Sequence, residues 1–384
     1  MMPTDRMATE QRERIVVVDD SANDLAVTRR FLERKGYDVQ GATSGEEGLA
    51  IGARVTPDAF VVDYRMPGMD GFEFTRRVKG DPMLQTIPVL MLTGADTPHT
   101  VVEGLGAGAD DFVTKGSDTE ILLARLRALL RVKRYQDQLR KLNQQIIRDL
   151  QIARRVQEAL VPQGTFRSPR IEIRSAYIPS ETLSGDFYDY FLQDDLIYLF
   201  VADVSGHGLP AAILVSLLKS YLHTETDAHT PLSSFMSRLN DFLFSVSLPT
   251  QFATAQLFRL DALGNLSYSN AAHPPFLLHR QESGKTAVYE EPSHLLGAMP
   301  EMPFAERSIK VAPGDTLFVY TDGLTDRRND AREFYSIERI ARLMEQAGHQ
   351  DLAALYDTIF HDVSSFPATE EFKDDIAFVL TRFH

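Results

Sequence analysis

Short apolar runs alternate with helical stretches over the first third of the chain, and this alternation restricts the possible folds more than any other feature. The apolar runs lie within RIVVVDD, DAFVVDY, TIPVLMLTG and DDFVTKG. The stretch after the first run, SANDLAVTRRFLERKG, is typical of a helix with Ser21 as N-cap and Gly36 as its stop. Strands separated by helices predict a doubly wound α/β domain around a parallel sheet.

Polar residues follow the predicted strands of this domain. They are Asp19, Asp20, Asp63, Thr93 and Lys115. Ligands bind such sheets at the carboxyl ends of the strands, so we expect these side chains to converge. Clustered carboxylates repel one another unless a cation neutralises them, and Mg²⁺ prefers oxygen ligands. A single aspartate after a strand is often only a helix cap. Five polar groups at one edge favour a Mg²⁺ site, with the lysine and the hydroxyl placed to contact an anion on the metal.

Residues 14–130 resemble a CheY-like response-regulator receiver domain, in these strand-end residues and in the MPGMDG loop that follows. The resemblance implies a parallel five-stranded sheet with Asp63 as the phosphoacceptor. It also implies a Mg²⁺ ion held by Asp20 and Asp63, with Asp19 assisting and the main-chain carbonyl of Arg65 completing the protein's ligands. The implied phosphate donor is a sensor histidine kinase or a phosphotransfer protein.

The same resemblance assigns the residues that respond to phosphorylation. Thr93 would be the switch hydroxyl, Phe112 the switch aromatic residue, and Lys115 the lysine that contacts the phosphate. The sequence departs from the family at one place, because Gly116 follows the lysine where receivers normally have proline. Phosphorylation itself is expected to survive this departure.

A segment without proline or glycine runs from Thr119 to Leu160, and its second half repeats apolar residues with a heptad rhythm. The two heptad positions are Val132, Leu139, Ile146, Ala153 and Leu160, and Tyr135, Leu142, Asp149 and Val156. This pattern predicts a helical coiled-coil linker over 131–163, ended by Pro162 and Gly164, and it favours a homodimer. The alternative is one long helix that packs on its own domains.

The run YLFVADVSGHGLPAAILVSLL, residues 198–218, carries a predicted strand up to Asp203 and then turns on two glycines before an apolar helix. Further acids at predicted strand edges are Asp186 in SGDFYDY, Asp322 in LFVYTDGLTD, and Asp374 and Asp375 in FKDDIAFVL. An Asp-Gly pair taken singly is more often a turn. Aspartates this far apart in sequence suit two hard cations, which can lower the pKa of a bridging water and neutralise phosphate oxygens.

The chain becomes rich in predicted strands after Ser168. Helices are expected around 209–222, 231–246 and 336–362. Residues 165–384 resemble the metal-dependent protein phosphatases of the PPM family, in the SpoIIE-like branch that includes bacterial partner-switching phosphatases. The resemblance rests on the four ordered acidic motifs and on NAAHPPF at 270–276. It implies an α-β-β-α sandwich that carries two Mn²⁺ or Mg²⁺ ions.

The resemblance also assigns the metal ligands of this second domain. The implied ligands are Asp186, Asp203, Asp322, Asp374 and the main-chain carbonyl of Val204. Asp203 would bridge both ions, and Asp375 is the alternative to the acid before it. Gly206 lets backbone and substrate approach closely. His207 either assists a proton transfer or contacts phosphate, or it only supports the loop, and the family motifs favour support.

Composition narrows the possible partners. The 384 residues carry a formal net charge of -14, which argues against nucleic acid as the main partner. There are no cysteines, so disulfides, thiol nucleophiles and thiolate metal sites are excluded. No apolar run approaches the ~20 residues of a membrane span, and the first residues lack the apolar core of a signal peptide. We therefore expect a soluble, cytoplasmic protein.

Together these features predict a response regulator whose output is a serine/threonine phosphatase under the control of Asp63. The resemblance suggests a phosphorylated STAS-type anti-sigma-factor antagonist as its substrate. One alternative is a non-catalytic adaptor that binds a sigma factor or an anti-sigma partner through the second domain. Another is a segment of a longer protein with a kinase domain after His384.

Overall fold

The computed structural model describes residues 12–94, 106–162, 164–180, 182–329, 332–366 and 374–384. The chain divides into two compact units, Met1–Gln145 and Ile146–His384. Within the described residues, every helix is too short or too polar to span a bilayer.

The first unit is built on a five-stranded parallel sheet with the order β2-β1-β3-β4-β5. The strands are β1 (Arg14–Val18), β2 (Asp38–Ala42), β3 (Ala59–Asp63), β4 (Val89–Thr93) and β5 (Asp111–Thr114). The three central strands are buried along nearly their whole length, which explains why they consist of continuous apolar residues. The predicted receiver-like sheet is confirmed. The edge strand β2, with the sequence DVQGA, is too polar to be recognised from its residues.

Three short helices of this unit begin with side-chain caps. They are α1 (Ala22–Arg34), α2 (Gly45–Val55) and α3 (Gly71–Gly80). Ser21, Ser44 and Asp70 each accept a hydrogen bond from a backbone N–H of the first turn, as the predicted cap at Ser21 requires.

The segment without proline or glycine forms one unbroken helix, α4 (Thr119–Leu160), of 42 residues. This confirms the predicted helical linker. Residues of both heptad positions expose their apolar side chains, among them Tyr135 and Leu139 at 61% each.

The second unit contains two antiparallel sheets. The first, with the order β14-β11-β10-β9-β8, contains β8 (Asp186–Gln193), β9 (Leu196–Val204), β10 (Ala253–Leu260), β11 (Asn265–Ala271) and β14 (Arg307–Lys310). The second, with the order β13-β12-β15-β16-β7-β6, contains β6 (Thr165–Arg167), β7 (Ile171–Ile178), β12 (Phe276–Arg280), β13 (Lys285–Tyr289), β15 (Thr316–Tyr320) and β16 (Ile376–Phe383). One hydrophobic core includes buried residues from both sheets, such as Phe200 and Val379. The predicted sandwich is confirmed.

Helices flank this sandwich. They are α5 (Leu209–Glu225), α6 (Leu232–Val246), α7 (Ile337–Ala347) and α8 (Leu352–Ser365). Buried residues of α5 and α6 join the core between the sheets, whereas those of α7 and α8 form a separate core against the second sheet. The predicted helical stretch 336–362 is therefore two helices, because the chain breaks at Gly348 and restarts at Asp351, whose side chain caps α8.

The strand pairing brings the acidic segments together. Asp186 at the start of β8 lies opposite Asp203 near the end of β9. On the other side of β9, Thr254 lies opposite the same Asp203. Strand β15 leads into a single 3₁₀ turn, Asp322–Leu324, beside the start of β16.

Candidate functional sites

Three aspartates meet at the carboxyl edge of the parallel sheet. Asp19, Asp20 and Asp63 each offer an oxygen atom, and these atoms lie within 4.8 Å of one another. Asp19 and Asp63 are buried, whereas Asp20 is exposed. An all-oxygen set with one open side is what Mg²⁺ accepts, so the residues fit the ion that the sequence predicts.

Lys115 supplies the positive charge of this edge. Its Nζ lies 2.8 Å from Asp19 Oδ2 and 2.6 Å from Asp63 Oδ2. Burial lowers the pKa of Lys115, but its hydrogen bonds with the two aspartates outweigh burial and raise the pKa. Burial raises the pKa of Asp19, and the lysine opposes that shift. The lysine is therefore charged and placed within reach of an anion attached to Asp63.

The predicted switch residues lie around the same edge. Thr93 is buried at the end of β4, and its carbonyl accepts a hydrogen bond from the backbone N–H of Lys115 at 2.6 Å. Phe112 is half-buried and packs against the apolar cluster that contains Phe72 and Met91. The backbone N–H of Arg65 donates to Asp63 Oδ1 at 3.4 Å.

Gly116, where the sequence departs from typical receivers, has a φ of 86°. It lies in a turn closed by a hydrogen bond from Ser117 N to Thr114 O at 3.1 Å. Proline, whose φ is fixed near −65°, cannot adopt this conformation, whereas glycine does so without strain. The departure therefore reflects a different turn after the lysine.

A second group of carboxylates lies where the two antiparallel sheets of the other unit meet. Asp186 is buried opposite the half-buried Asp203, and its Oδ2 accepts a hydrogen bond from Thr321 Oγ1 at 2.6 Å. Thr321 lies between the end of β15 and Asp322, and its hydroxyl also accepts a hydrogen bond from Ala377 N at 2.8 Å. One buried hydroxyl thus connects the acid of one sheet to the strands that carry the acids of the other.

Two glycines let these acidic segments approach closely. A Cβ on Gly185 would lie 2.5 Å from the carbonyl oxygen of Val204 and 3.5 Å from Asp203 Oδ1. A Cβ on Gly323 would overlap the carbonyl oxygen of Asp375. A larger residue at either position would push the acidic segments apart. These glycines are therefore required by packing.

Asp374 and Asp375 have different surroundings. The carboxylate of Asp375 accepts from Ser180 N at 2.7 Å, Ser180 Oγ at 3.0 Å and Gly185 N at 3.0 Å. Asp374 is exposed, and its Oδ1 accepts from the N–H of Asp375 at 2.8 Å. Asp375 thus fixes the loop before β8, which leaves Asp374 the better placed of the two to bind a cation.

The electrostatics of this group favour bound cations. Burial, with the charges of Asp322 and Asp374 adding to it, raises the pKa of Asp203 to about 7. Burial and the charge of Asp203 raise the pKa of Asp186, and burial with Asp374 raises that of Asp322. The pKa of Asp374 is also raised, because the surrounding protein partly desolvates its carboxylate although the residue as a whole is exposed, and the charge of Asp375 adds to this shift. Because each acid disfavours the ionisation of its neighbours, a divalent cation would relieve the repulsion.

The spacing of these acids also limits how an ion could be held. Within the described residues, the only three carboxylates whose oxygens lie within 4.8 Å of one another are those of the receiver edge. No single ion is therefore enclosed by three carboxylates of the second group. Hard cations that keep several water ligands, and that draw the carboxylates closer together on binding, fit this spacing.

The loop after Asp203 carries the remaining predicted residues. Gly206 and Gly208 have positive φ values of 91° and 76°, and His207 between them is exposed. The loop is held on its other side by Ser205, whose N–H donates to Phe252 O at 2.8 Å and whose Oγ accepts from Phe252 N at 2.8 Å. Val204 is buried, and its N–H donates to Gly185 O at 3.1 Å.

Sequence reasoning assigned no role to several residues that the fold places here. His273, in the NAAHPPF motif, is buried, and its Nδ1 lies 2.8 Å from the hydroxyl of Thr254, the strand neighbour of Asp203. Burial lowers the pKa of His273 to about 3, so its imidazole is neutral. The motif itself was the available signal for His273. Neither Thr321 nor Gln157, whose amide bonds to Ser184, carries any such signal.

Two family profiles match the chain. The profile "Response regulator receiver domain" covers residues 15–127, and "Stage II sporulation protein E (SpoIIE)" covers residues 193–384. Both resemblances drawn from the sequence are thereby confirmed.

Individual relatives match parts of the chain. Response regulator PleD of Caulobacter vibrioides is 41% identical over 128 residues, which are 33% of this chain and 28% of PleD. Protein IcfG of Synechocystis is 27% identical over 291 residues, which are 66% of this chain and 45% of IcfG. The chain therefore spans less than half the length of either protein.

A solved structure has a similar fold. The SiaA-PP2C domain of Pseudomonas aeruginosa superposes with a TM-score of 0.54 at 19% identity, covering 63% of this chain and 98% of that domain. At this identity the likeness extends to the fold alone.

Proposed function

The chain belongs to the SpoIIE family through its second half and carries a response-regulator receiver, and from this we propose that it dephosphorylates phosphoserine or phosphothreonine in a protein substrate under the control of Asp63. The proposal assigns the receiver to residues 14–130, the linker to 131–163 and the phosphatase to 165–384. The family matches support a response regulator with a PP2C-like phosphatase output.

The position of Asp186, which lies opposite Asp203 on the neighbouring strand and accepts a hydrogen bond from Thr321, carries the proposal. This hydrogen bond joins an acid of the first sheet to the segment that carries Asp322, and the charges of neighbouring acids raise the pKa values of Asp186 and Asp203. Two Mn²⁺ or Mg²⁺ ions bound there would supply an activated water and neutralise the oxygens of a phosphate monoester. Such a reaction requires no side-chain nucleophile, which agrees with a chain that has no cysteine.

Each acid has a distinct task in this proposal. Asp203 would contribute to both ions, because its charge acts on Asp186 and the charges of Asp322 and Asp374 act on it. Asp186 would hold one ion, with its Oδ2 fixed by Thr321. Asp322 and Asp374 would hold the other ion, while Asp375 keeps the loop before β8 in place.

The receiver provides the input. Phosphorylation of Asp63 by a histidine kinase or a phosphotransfer protein would attach a phosphoryl group beside the charged Nζ of Lys115, 2.6 Å from the carboxylate. The new anion would draw Lys115 away from Asp19 and offer Thr93 a hydrogen-bond acceptor. Helix α4 runs without a break from this unit to Leu160 and provides a continuous path for the change.

The substrate proposed is a phosphorylated STAS-type anti-sigma-factor antagonist. The support for it is the resemblance of the acidic motifs to those of the bacterial partner-switching phosphatases. A direct comparison of phosphoserine release from such a protein and from an unrelated phosphoprotein would test the substrate separately from the chemistry.

The linker is proposed to pair with a second copy of the chain. Six apolar residues at the two heptad positions are between 47% and 61% exposed. They are Val132, Tyr135, Leu139, Leu142, Ile146 and Val156. A stripe of this kind on a helix of 42 residues is the seam of a two-stranded coiled coil, in which each copy covers the apolar residues of the other.

The experiment that tests the phosphatase is hydrolysis of p-nitrophenyl phosphate with and without Mn²⁺. Wild type should turn over only with metal, and Asp203→Asn should lower the rate by about a hundredfold or more, because a charge that holds both ions is lost. Asp195→Asn is the matched control: Asp195 is exposed, and asparagine tolerates its φ of 61°.

Equal rates for wild type and Asp203→Asn would refute the assignment of the site. If wild type also fails to hydrolyse a phosphoprotein and fails to bind Mn²⁺, the non-catalytic adaptor replaces the enzyme.

A further inference from the structure

The last turns of helix α4 carry one polar side chain that is buried. Gln157 is 5% exposed, although the linker around it is largely exposed. Its Nε2 donates to Ser184 O at 2.6 Å, and its Oε1 accepts from Ser184 N at 3.1 Å. A single amide thus pairs with both main-chain groups of one residue, much as a neighbouring strand would.

Ser184 stands directly before the acidic segment of β8. Its hydroxyl oxygen accepts a hydrogen bond from Asp186 N at 3.0 Å. The residue between them, Gly185, donates to Asp375 and has no room for a side chain. The position of Asp186 therefore depends on where the main chain of Ser184 is held.

A second polar contact joins the end of the helix to the same strand. Lys219 Nζ donates to the carbonyl of Leu160 and to Asp189 Oδ2, the latter at 2.9 Å. Asp189 is buried on β8, three residues after Asp186, and also lies 2.7 Å from His223 Nε2. The helix end is thus connected directly to Ser184 on one side of Asp186, and through Lys219 to Asp189 on the other.

We propose that Gln157 is a positioning residue for the metal site, which holds Asp186 in its ligating position through the main chain of Ser184. This inference rests on the proposed metal-dependent function and identifies the contact by which the linker helix controls it. Of the common side chains, only an amide offers a donor and an acceptor side by side without charge, which is what a buried backbone N–H and C=O require.

Loss of the amide would have a local effect. Without Gln157, the buried N–H and C=O of Ser184 would have no partner, and such groups are costly unless the chain moves to find new ones. A movement of Ser184 shifts Asp186 relative to Asp203. A merely structural glutamine would affect folding stability, whereas a positioning residue also changes the affinity for the metal.

The test is Mn²⁺ binding to the full chain, measured by titration calorimetry. All proteins carry Asp20→Asn, so that the receiver edge does not contribute to the signal. Gln157→Met, which keeps the length of the side chain but removes both hydrogen bonds, should weaken Mn²⁺ binding about tenfold, as loss of a residue that orients a metal ligand does. Gln151→Met makes the same change at an exposed position of the same helix and should bind as the parent does.

A folded Gln157→Met protein with unchanged Mn²⁺ affinity would overturn the proposal. If that variant does not fold, as judged by circular dichroism, Gln157→Glu decides. Glutamate keeps the acceptor for Ser184 N but cannot donate to Ser184 O when ionised, so binding should again be weaker, and parental affinity would overturn the proposal. Because the readout is metal binding, this outcome is independent of whether the chain hydrolyses phosphate esters.

Discussion

The fold strongly raises the pKa of Asp203. Its pKa of about 7, against an ordinary value of 3.8, means that the metal-free protein keeps a proton there that the unfolded chain releases. The folded state therefore binds more protons between these two values, and stability falls as pH rises through this range. The destabilising contribution is absent below pH 4, is complete above pH 7, and amounts to at most about 1.4 kcal/mol per pH unit for one group.

The fall in stability with rising pH can be tested on the metal-free protein. Asp203→Asn should be more stable than wild type by a margin that grows from pH 5 to pH 8, because asparagine carries no charge that must be buried. Thermal unfolding in EDTA at the two pH values measures the effect. Burial lowers the pKa of His273 to about 3, so its contribution to stability changes with pH in the opposite direction. This contribution is the same in both proteins, and the difference in stability between variant and wild type therefore isolates Asp203.

Two further measurements complete the comparison. Asp195→Asn, at an exposed position, should show no such dependence on pH. Added Mn²⁺ should raise the melting temperature of wild type more than that of Asp203→Asn. A difference between the two proteins that is constant from pH 5 to 8 would show that Asp203 ionises normally.

At the scale of residues, the sequence predicted functional side chains where they lie at the end of a recognisable strand. Asp63, Asp186 and Asp203 each lie at the edge of a recognisable apolar run or a glycine motif. The role of Asp375 could not be predicted, since its partners Ser180 and Gly185 are nearly two hundred residues away in the chain. Gln157 was missed for the same reason: only the packed fold brings its amide to Ser184.

At the scale of elements, the linker helix exposes a stripe of apolar side chains that nothing in one chain covers within the described residues. Its apolar stripe repeats every three and four residues, and Asp149 is the only acid at these heptad positions. If two copies cover this stripe, each CH₂ group removed from water would stabilise the dimer by about 0.8 kcal/mol.

Leu142→Asp should therefore convert a dimer to a monomer, because it adds a charge to each side of the seam. Sedimentation equilibrium of the full chain measures the change. Gln144→Asp adds the same charge at an exposed position outside the heptad positions and should leave the dimer intact. A wild-type chain that sediments as a monomer at all concentrations tested would contradict the proposed pairing.

The predictability of elements depended on their burial. Strands β1, β3 and β4 are buried on both faces and could be recognised as apolar runs. The edge strand β2 gave no such signal, because an edge strand with one exposed face can be built from polar residues. The break between α7 and α8 was not anticipated, although Gly348 and the capping Asp351 stand in the sequence.

At the scale of the whole molecule, the question is whether the receiver controls the phosphatase. Acetyl phosphate should change the rate of p-nitrophenyl phosphate hydrolysis by wild type, because the proposed phosphorylation of Asp63 would alter the contacts of Lys115 and Thr93. Asp63→Asn should show the same rate with and without acetyl phosphate. A response that persists in this variant would place control outside the receiver site.

Helix α4 contains no residue that interrupts its hydrogen bonds from Thr119 to Leu160. Each residue inserted into such a helix turns everything beyond it by about 100° and advances it by about 1.5 Å. A different sensory domain could therefore be joined to this SpoIIE-like domain only at junctions that preserve the rotational phase between the apolar stripe and Gln157. Seven-residue insertions nearly restore that phase, and single-residue insertions do not. Exchange of input domains is thus restricted by helical geometry as well as by sequence.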